Sequence, residues 1–193
     1  MKNIVILISG GGSNMAAIVQ TAKNQRWQDK FGARVAFVAS NKVDAGGLAI
    51  ACAQGIATAS LDHTAFASRE AFDAELIRQI DPFDPVLVVL AGFMRILTPE
   101  FVAHYEGRLL NIHPSLLPAF TGMHTHQRAI DAGCRFAGAT VHRVTAELDV
   151  GPILAQAVVP ILPTDTASTL ASRVQTQEHL IYPQAIAALL GAM

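Results

Sequence analysis

Apolar residues fall into short unbroken runs separated by glycine, proline and polar clusters. Residues 4–8, Ile-Val-Ile-Leu-Ile, form one such run, rich in β-branched side chains, as a strand covered on both faces requires. Similar runs at 35–39, 56–61, 85–91 and 108–112 predict four more strands. Segments of helical spacing lie between them. One helix opens at Ser13-Asn14, which offer capping side chains, and runs to about residue 23. A second spans 47–54 and is closed by Gly55. A third covers 68–80, with Ser68 as its cap, Phe72, Leu76, Ile77 and Ile80 on one stripe, and Asp81-Pro82 as its stop.

Strands alternating with helices at this spacing imply right-handed βαβ units and a parallel sheet. Beyond a helix near 126–132 the pattern changes. Residues 138–144 and 153–159 read as two strands joined by a turn, and 166–190 as a closing helix bent or broken at Pro183. The expected fold is α/β and Rossmann-like: a mostly parallel twisted sheet with helices on both faces and an antiparallel extension. No repeat or linker divides residues 1–193, so a single domain is expected.

Composition narrows the function classes. With 51% hydrophobic and 15% charged residues the chain is no disordered protein, and a net charge of −1 leaves no electrostatic footprint for nucleic acid. The apolar run after Met1 ends at Ser9 among glycines, unlike a signal peptide, and the strongest apolar stretch, 85–94, stops at Arg95, short of the ~20 residues that span a bilayer. A cytoplasmic protein with no membrane partner is expected. Cys52 and Cys134 are far apart and in no recognisable motif, so both are expected buried and reduced.

The strand at 108–112 delivers a polar pair, Asn111 and His113, to its carboxyl end, and Pro114 then discourages further pairing. Side chains two apart share a strand face, so the amide and the imidazole point the same way. An amide donor beside a proton carrier suits a reaction that develops an oxyanion. The Gly10-Gly11-Gly12-Ser13-Asn14 loop follows the first strand and opens a helix. It is neither a P-loop nor a full GxGxxG, and by itself fits a tight turn or a phosphate site. Asp149 reads locally as an exposed turn carboxylate or as a partner for His113. His124 and His126, with His113, lack the acidic or thiol neighbours of a metal site, so no metal is expected. Arg69 and Arg95 fit structural or ligand-binding roles, and Gln175-Thr176-Gln177-Glu178-His179 an exposed helix face or a binding one.

Taken together, the motifs resemble the folate-dependent formyltransferases. They are Ile-Ser-Gly-x-Gly-Ser-Asn at 8–14, Ser68-Arg69-Glu70, Ala-Gly-Phe-Met-Arg-Ile-Leu at 91–97, Asn-Ile-His-Pro-Ser-Leu-Leu-Pro at 111–118, Glu-Leu-Asp-x-Gly-Pro at 147–152 and Gln-Thr-Gln-Glu-His at 175–179. The Gly-Ser-Asn loop, Gly-x-His-Thr-His at 122–126 and Gln-Thr-Gln-Glu-His narrow the resemblance to the branch whose acceptor is the amine of glycinamide ribonucleotide.

The resemblance implies formyl transfer from 10-formyltetrahydrofolate to that amine in de novo purine synthesis, with no metal. It implies a catalytic trio of Asn111, His113 and Asp149, and a ribonucleotide site of Gly12, Ser13, Asn14, Gln175, Thr176, Gln177 and Glu178. Arg69, Met94, Arg95, Ile96, Leu97, Asn111, Thr145, Ala146, Glu147, Leu148 and Asp149 would contact the folate. A nucleotide-binding half, about 1–110, would then meet a catalytic and folate-binding half, about 85–193, in a monomer or homodimer. Two features depart from the family pattern: Gly11 replaces a larger residue, and the chain ends at Met193 where some relatives continue. The rival activities are formyltetrahydrofolate hydrolase, methionyl-tRNA formyltransferase and sugar-nucleotide formyltransferases. The first normally carries a further amino-terminal domain and the second a tRNA-binding carboxyl-terminal one, for which 193 residues leave no room, and the near-neutral charge disfavours tRNA. A non-catalytic nucleotide-binding module would have no need of Asn111, His113 and Asp149 together.

Overall fold

A computed structural model describes all residues 1–193. Its strands are β1 (Lys2–Ile8), β2 (Ala33–Ser40), β3 (Ala57–Ser60), β4 (Pro85–Leu90), β5 (Leu109–His113), β6 (Phe136–Arg143) and β7 (Ile153–Pro160). Its helices are α1 (Ser13–Asn24), α2 (Trp27–Phe31), α3 (Gly46–Ala53), α4 (Arg69–Ile80), α5 (Pro99–His104), α6 (Thr125–Asp131) and α7 (Ala167–Ala192). The strands form one sheet in the order β3-β2-β1-β4-β5-β6-β7. β1 to β5 pair in parallel, whereas β5 with β6 and β6 with β7 are antiparallel.

Each face of the sheet has its own core. On one, Ile4, Ile6, Ile8, Leu110, Ile112 and Val141 pack with Met15 and Ile18 of α1 and with Leu170, Val174 and Ile186 of α7. On the other, Val5, Leu7, Val88, Leu90 and Leu109 pack with Phe72, Leu76 and Ile80 of α4 and with Phe101 of α5. Each fully buried aliphatic or aromatic side chain contributes about 1.5–3 kcal/mol relative to an exposed one. The second core stops at β5. Beyond Leu109 the same face continues as Asn111 and His113 and, on β6, as Thr140 and His142, all polar and covered by loops instead of a helix.

Four features differ from the sequence expectations. The N-cap of α1 is Gly12, at φ 71°, and no side chain caps that end; Ser13 and Asn14 lie inside the helix and turn their side chains to α7. α7 runs unbroken through Pro183. Proline removes one donor, and this stretch is held by burial of Tyr182, Pro183 and Ile186 and by the Tyr182 hydroxyl, which donates to the Leu90 carbonyl at 3.0 Å. Cys52 is exposed and Cys134 half-buried, because α3 turns Cys52 outward and Cys134 sits in the turn after α6; both are unpaired. Finally, α2 and α5 are short helices that the hydrophobic pattern did not anticipate.

Candidate active site

β1 is the point at which the chain first crosses to β2 on one side and then, through β4, to the other. In open α/β sheets the crevice beyond the carboxyl ends of such strands is where ligands bind. Here the Gly10–Gly12 turn after β1 and Ala91-Gly92 after β4 open a cleft of about 320 Å³. Residues 9–14 form one wall, Met94 and Pro114 another, and Gln175 and Glu178 a third. With no side chain over the N-terminus of α1, its first-turn N–H groups are left to an anionic ligand.

The α7 wall is tied to this loop. Gln175 Nε2 donates to Ser13 Oγ at 3.1 Å, and Asn14 Nδ2 donates to Glu178 Oε2 at 2.7 Å. Glu178 is buried, which corrects the exposed-face reading of this stretch, and Asn14 Oδ1 is buried without a partner. Burial pushes the Glu178 carboxyl above the usual carboxylate range; the Asn14 amide and the His113 ring pull the other way. Thr176, by contrast, is exposed and donates its hydroxyl to the Ser172 carbonyl; neither it nor the half-buried Gln177 lines the cleft.

Beside the cleft lies a ring of polar side chains. β5 pairs with β6 so that Asn111 is opposite His142 and His113 opposite Thr140. Asn111 Nδ2 donates to His142 Nε2 at 3.2 Å, and His142 Nδ1 donates to the Arg143 carbonyl at 3.0 Å. These partners assign the neutral ring its Nδ1–H tautomer. Asp149 is buried in the turn after β6 at φ 58°, a left-handed conformation that aspartate tolerates better than most residues. Its Oδ2 lies 3.4 Å from His113 Nδ1 and accepts the Gly122 N–H at 2.9 Å; its Oδ1 lies 3.8 Å from His142 Nε2. The other nitrogen of His113, Nε2, donates to the Phe120 carbonyl at 2.9 Å. Both ring nitrogens of His113 thus face oxygen atoms, Nε2 at hydrogen-bond distance and Nδ1 at ion-pair distance.

The structure therefore brings Asn111, His113 and Asp149 together and adds His142, which sequence reasoning missed. Burial pushes His142 below the ordinary histidine range, opposed by the Arg143 carbonyl and the Asp149 carboxylate and reinforced by His113. Its one sequence signal was a histidine inside the apolar run of β6.

The remaining residues spread around this centre. Phe93 and Leu97 are buried, so the intervening Met94 and Ile96 face outward, 78% and 60% exposed. Leu148 and Val150 flank Asp149 at 53% and 56%. These large apolar side chains are left open to solvent near the polar centre. The Arg95 guanidinium packs 4.8 Å from the Phe72 ring centroid, while Arg69 is exposed at the start of α4. Thr145 Oγ1 donates to the Glu147 carbonyl, bracing the turn that carries Ala146 and Leu148; Ala146 and Glu147 are exposed. Thr125 Oγ1 fastens α6 to the Pro114 carbonyl at 2.7 Å, and His126 lines a separate apolar cavity of about 120 Å³ with Phe120 and Cys134.

Comparison with known proteins agrees with this geometry. The formyl transferase family matches residues 2–186. The chain belongs to that family. Among curated relatives of this formyl transferase, the Escherichia coli (strain K12) protein named phosphoribosylglycinamide formyltransferase is 55% identical over 95% of this chain and 85% of its own length. The Drosophila melanogaster trifunctional purine biosynthetic protein adenosine-3 is 43% identical over 98% of this chain, which spans 14% of that longer protein. The crystal structure of phosphoribosylglycinamide formyltransferase from Brucella melitensis superposes with a TM-score of 0.91 at 52% identity, covering 100% of this chain and 97% of that one.

Proposed function

We propose that this formyl transferase moves the formyl group of 10-formyltetrahydrofolate to the amine of glycinamide ribonucleotide, a step of de novo purine synthesis. One observation carries the reading: the cleft opened by the phosphate-type loop extends to Ile112 and Pro114, the chain neighbours of Asn111 and His113, so an anionic acceptor held at the loop would direct its far end toward the polar ring of Asn111, His113 and Asp149. The 55% identity to a protein that bears this activity's name supports the same acceptor.

In this reading Gly12, Ser13 and Asn14 take the phosphate, and Gln175 and Glu178 the ribose beside it. Burial raises the Glu178 carboxyl above the usual carboxylate range, which weakens its charge repulsion toward the anion. The apolar rim of Met94, Ile96 and Leu148 suits the flat ring of a reduced folate, while the backbone of residues 94–97 and 145–149 supplies polar contacts to its edge. The work divides between the halves of the chain: residues 1–110 supply the phosphate loop, and 85–193 carry the folate and the chemistry and lend Gln175 and Glu178 to the ribonucleotide.

The neutral amine attacks the formyl carbon, and the carbonyl oxygen becomes an oxyanion in a tetrahedral intermediate. One N–H of Asn111 is committed to His142, so its amide plane is fixed and the second N–H is free for that oxygen. Protonated His113 releases the Phe120 carbonyl, donates to the oxyanion and assists departure of the folate nitrogen. Asp149 keeps the ring charged and oriented, and accepts the amine proton through water. Removing one oxyanion donor typically costs on the order of 10²–10³ in rate.

The test follows tetrahydrofolate release with glycinamide ribonucleotide present and absent. Release that requires the ribonucleotide is expected. Equal release without it would assign the site to formyltetrahydrofolate hydrolysis instead.

A further inference from the structure

Helix α3 begins with two adjacent glycines, Gly46 and Gly47, although glycine is among the least favourable residues in a helix. Their surroundings differ. A Cβ on Gly46 would meet no atom within 4 Å. A Cβ on Gly47 would lie 2.6 Å from Ile8 Cδ1, 3.0 Å from Gly12 Cα and 3.2 Å from the Gly10 carbonyl oxygen. Conversely, a Cβ on Gly12 would lie 2.9 Å from Gly47 Cα. The Gly47 N–H donates to the Gly10 carbonyl at 3.1 Å, turning that acceptor toward α3. The Ile8 methyl is the end of a flexible side chain and can move aside. Gly12 and Gly10 are backbone and cannot move without reshaping the loop.

We propose that Gly47 is a positioning residue for the acceptor's phosphate: its missing side chain lets α3 clamp the Gly10–Gly12 backbone in the shape that aims donors into the cleft. This rests on reading that loop as the phosphate site. With the Gly10 carbonyl held by α3, a lone pair that would repel an anion is kept out of the cleft.

The experiment compares Gly47→Ala, Gly46→Ala and Gly47→Ala combined with Ile8→Val, using glycinamide ribonucleotide and its dephosphorylated nucleoside as acceptors. Gly47→Ala is expected to raise the ribonucleotide KM about 10- to 100-fold, the loss of one charge-assisted hydrogen bond, with the formyl-donor KM unchanged. Gly46→Ala should behave as wild type. Adding Ile8→Val removes the closest clash and secures folding, but leaves both backbone contacts, so the ribonucleotide KM stays high. With the nucleoside, Gly47→Ala and wild type should perform alike. An unchanged ribonucleotide KM in Gly47→Ala, full restoration by Ile8→Val, or an equal penalty without the phosphate would each overturn the proposal. Titration with inorganic phosphate separates the two readings: if the wild type binds phosphate but transfers no formyl group, the reaction is wrong, and weaker phosphate binding by Gly47→Ala still upholds the clamp. Equal phosphate binding by the two sinks it.

Discussion

Replacing Asp149 with Asn is the sharpest single test of the proton-handling site. Asn is isosteric, and its one carbonyl oxygen can keep the Gly122 N–H bond at 2.9 Å, so the turn and the fold should survive. What disappears is a negative charge 3.4 Å from His113 Nδ1. Two unit charges at that distance attract by about 5 kcal/mol at an effective dielectric constant near 20. Asp149 is 8% exposed, so solvent screens little of this. If about 4 kcal/mol of it is lost in the transition state, kcat falls about a thousandfold. The ribonucleotide KM should change little, because Asp149 does not line the cleft that the phosphate loop opens. Steady-state formyl transfer, read from folate absorbance, measures both constants, and circular dichroism with thermal melting verifies the fold. A folded Asp149→Asn protein with kcat within about tenfold of wild type would show that the Asp149 charge does not act on His113 in the transition state.

The same site yields three further predictions. His113→Ala should lower kcat by about 10²–10⁴-fold with the fold retained, as loss of a general acid does, checked by the same kinetics. His142→Gln removes a titrating ring that holds Asn111 only when unprotonated; because burial lowers that ring, the wild-type kcat should hold through the ordinary histidine range and fall only on its acid side, and the variant's acid limb should be flatter, read from a kcat–pH profile. Glu178→Gln should raise the melting temperature at pH 7–8. The folded carboxyl is raised, so the folded state binds more protons and stability declines as pH rises through the raised value; the variant's advantage should vanish near pH 4, where both states are protonated, and its ribonucleotide KM should rise.

Much of this was legible in the sequence, for physical reasons that differ from residue to residue. Doubly covered strands such as β1 and β4 announce themselves by continuous apolar runs, and the Asn111-x-His113 pair by the period of a strand. Ser68 caps α4 as expected, its hydroxyl accepting the Ala71 N–H. Thr98-Pro99-Glu100 is a comparable start signal for α5, but that helix is only six residues long and shows no periodicity. Asp149 reaches His113 through a left-handed turn that local sequence does not encode, so only the family resemblance decided between an exposed turn carboxylate and a partner for His113. His142 depends on strand register, and the Gly47 clamp on two backbones meeting from distant segments. Neither leaves a local pattern. The polar stretch 175–179 looked like a solvated face because burial of Glu178 depends on α1 packing against α7.

The central claim is the transfer itself, and it is tested by following the carbon. The protein is incubated with glycinamide ribonucleotide and 10-formyltetrahydrofolate labelled with ¹³C in the formyl group, and the products are read by mass spectrometry. The label is expected on the ribonucleotide's amine in amounts equal to the tetrahydrofolate released. Label recovered as free formate, with the ribonucleotide unmodified, would contradict it.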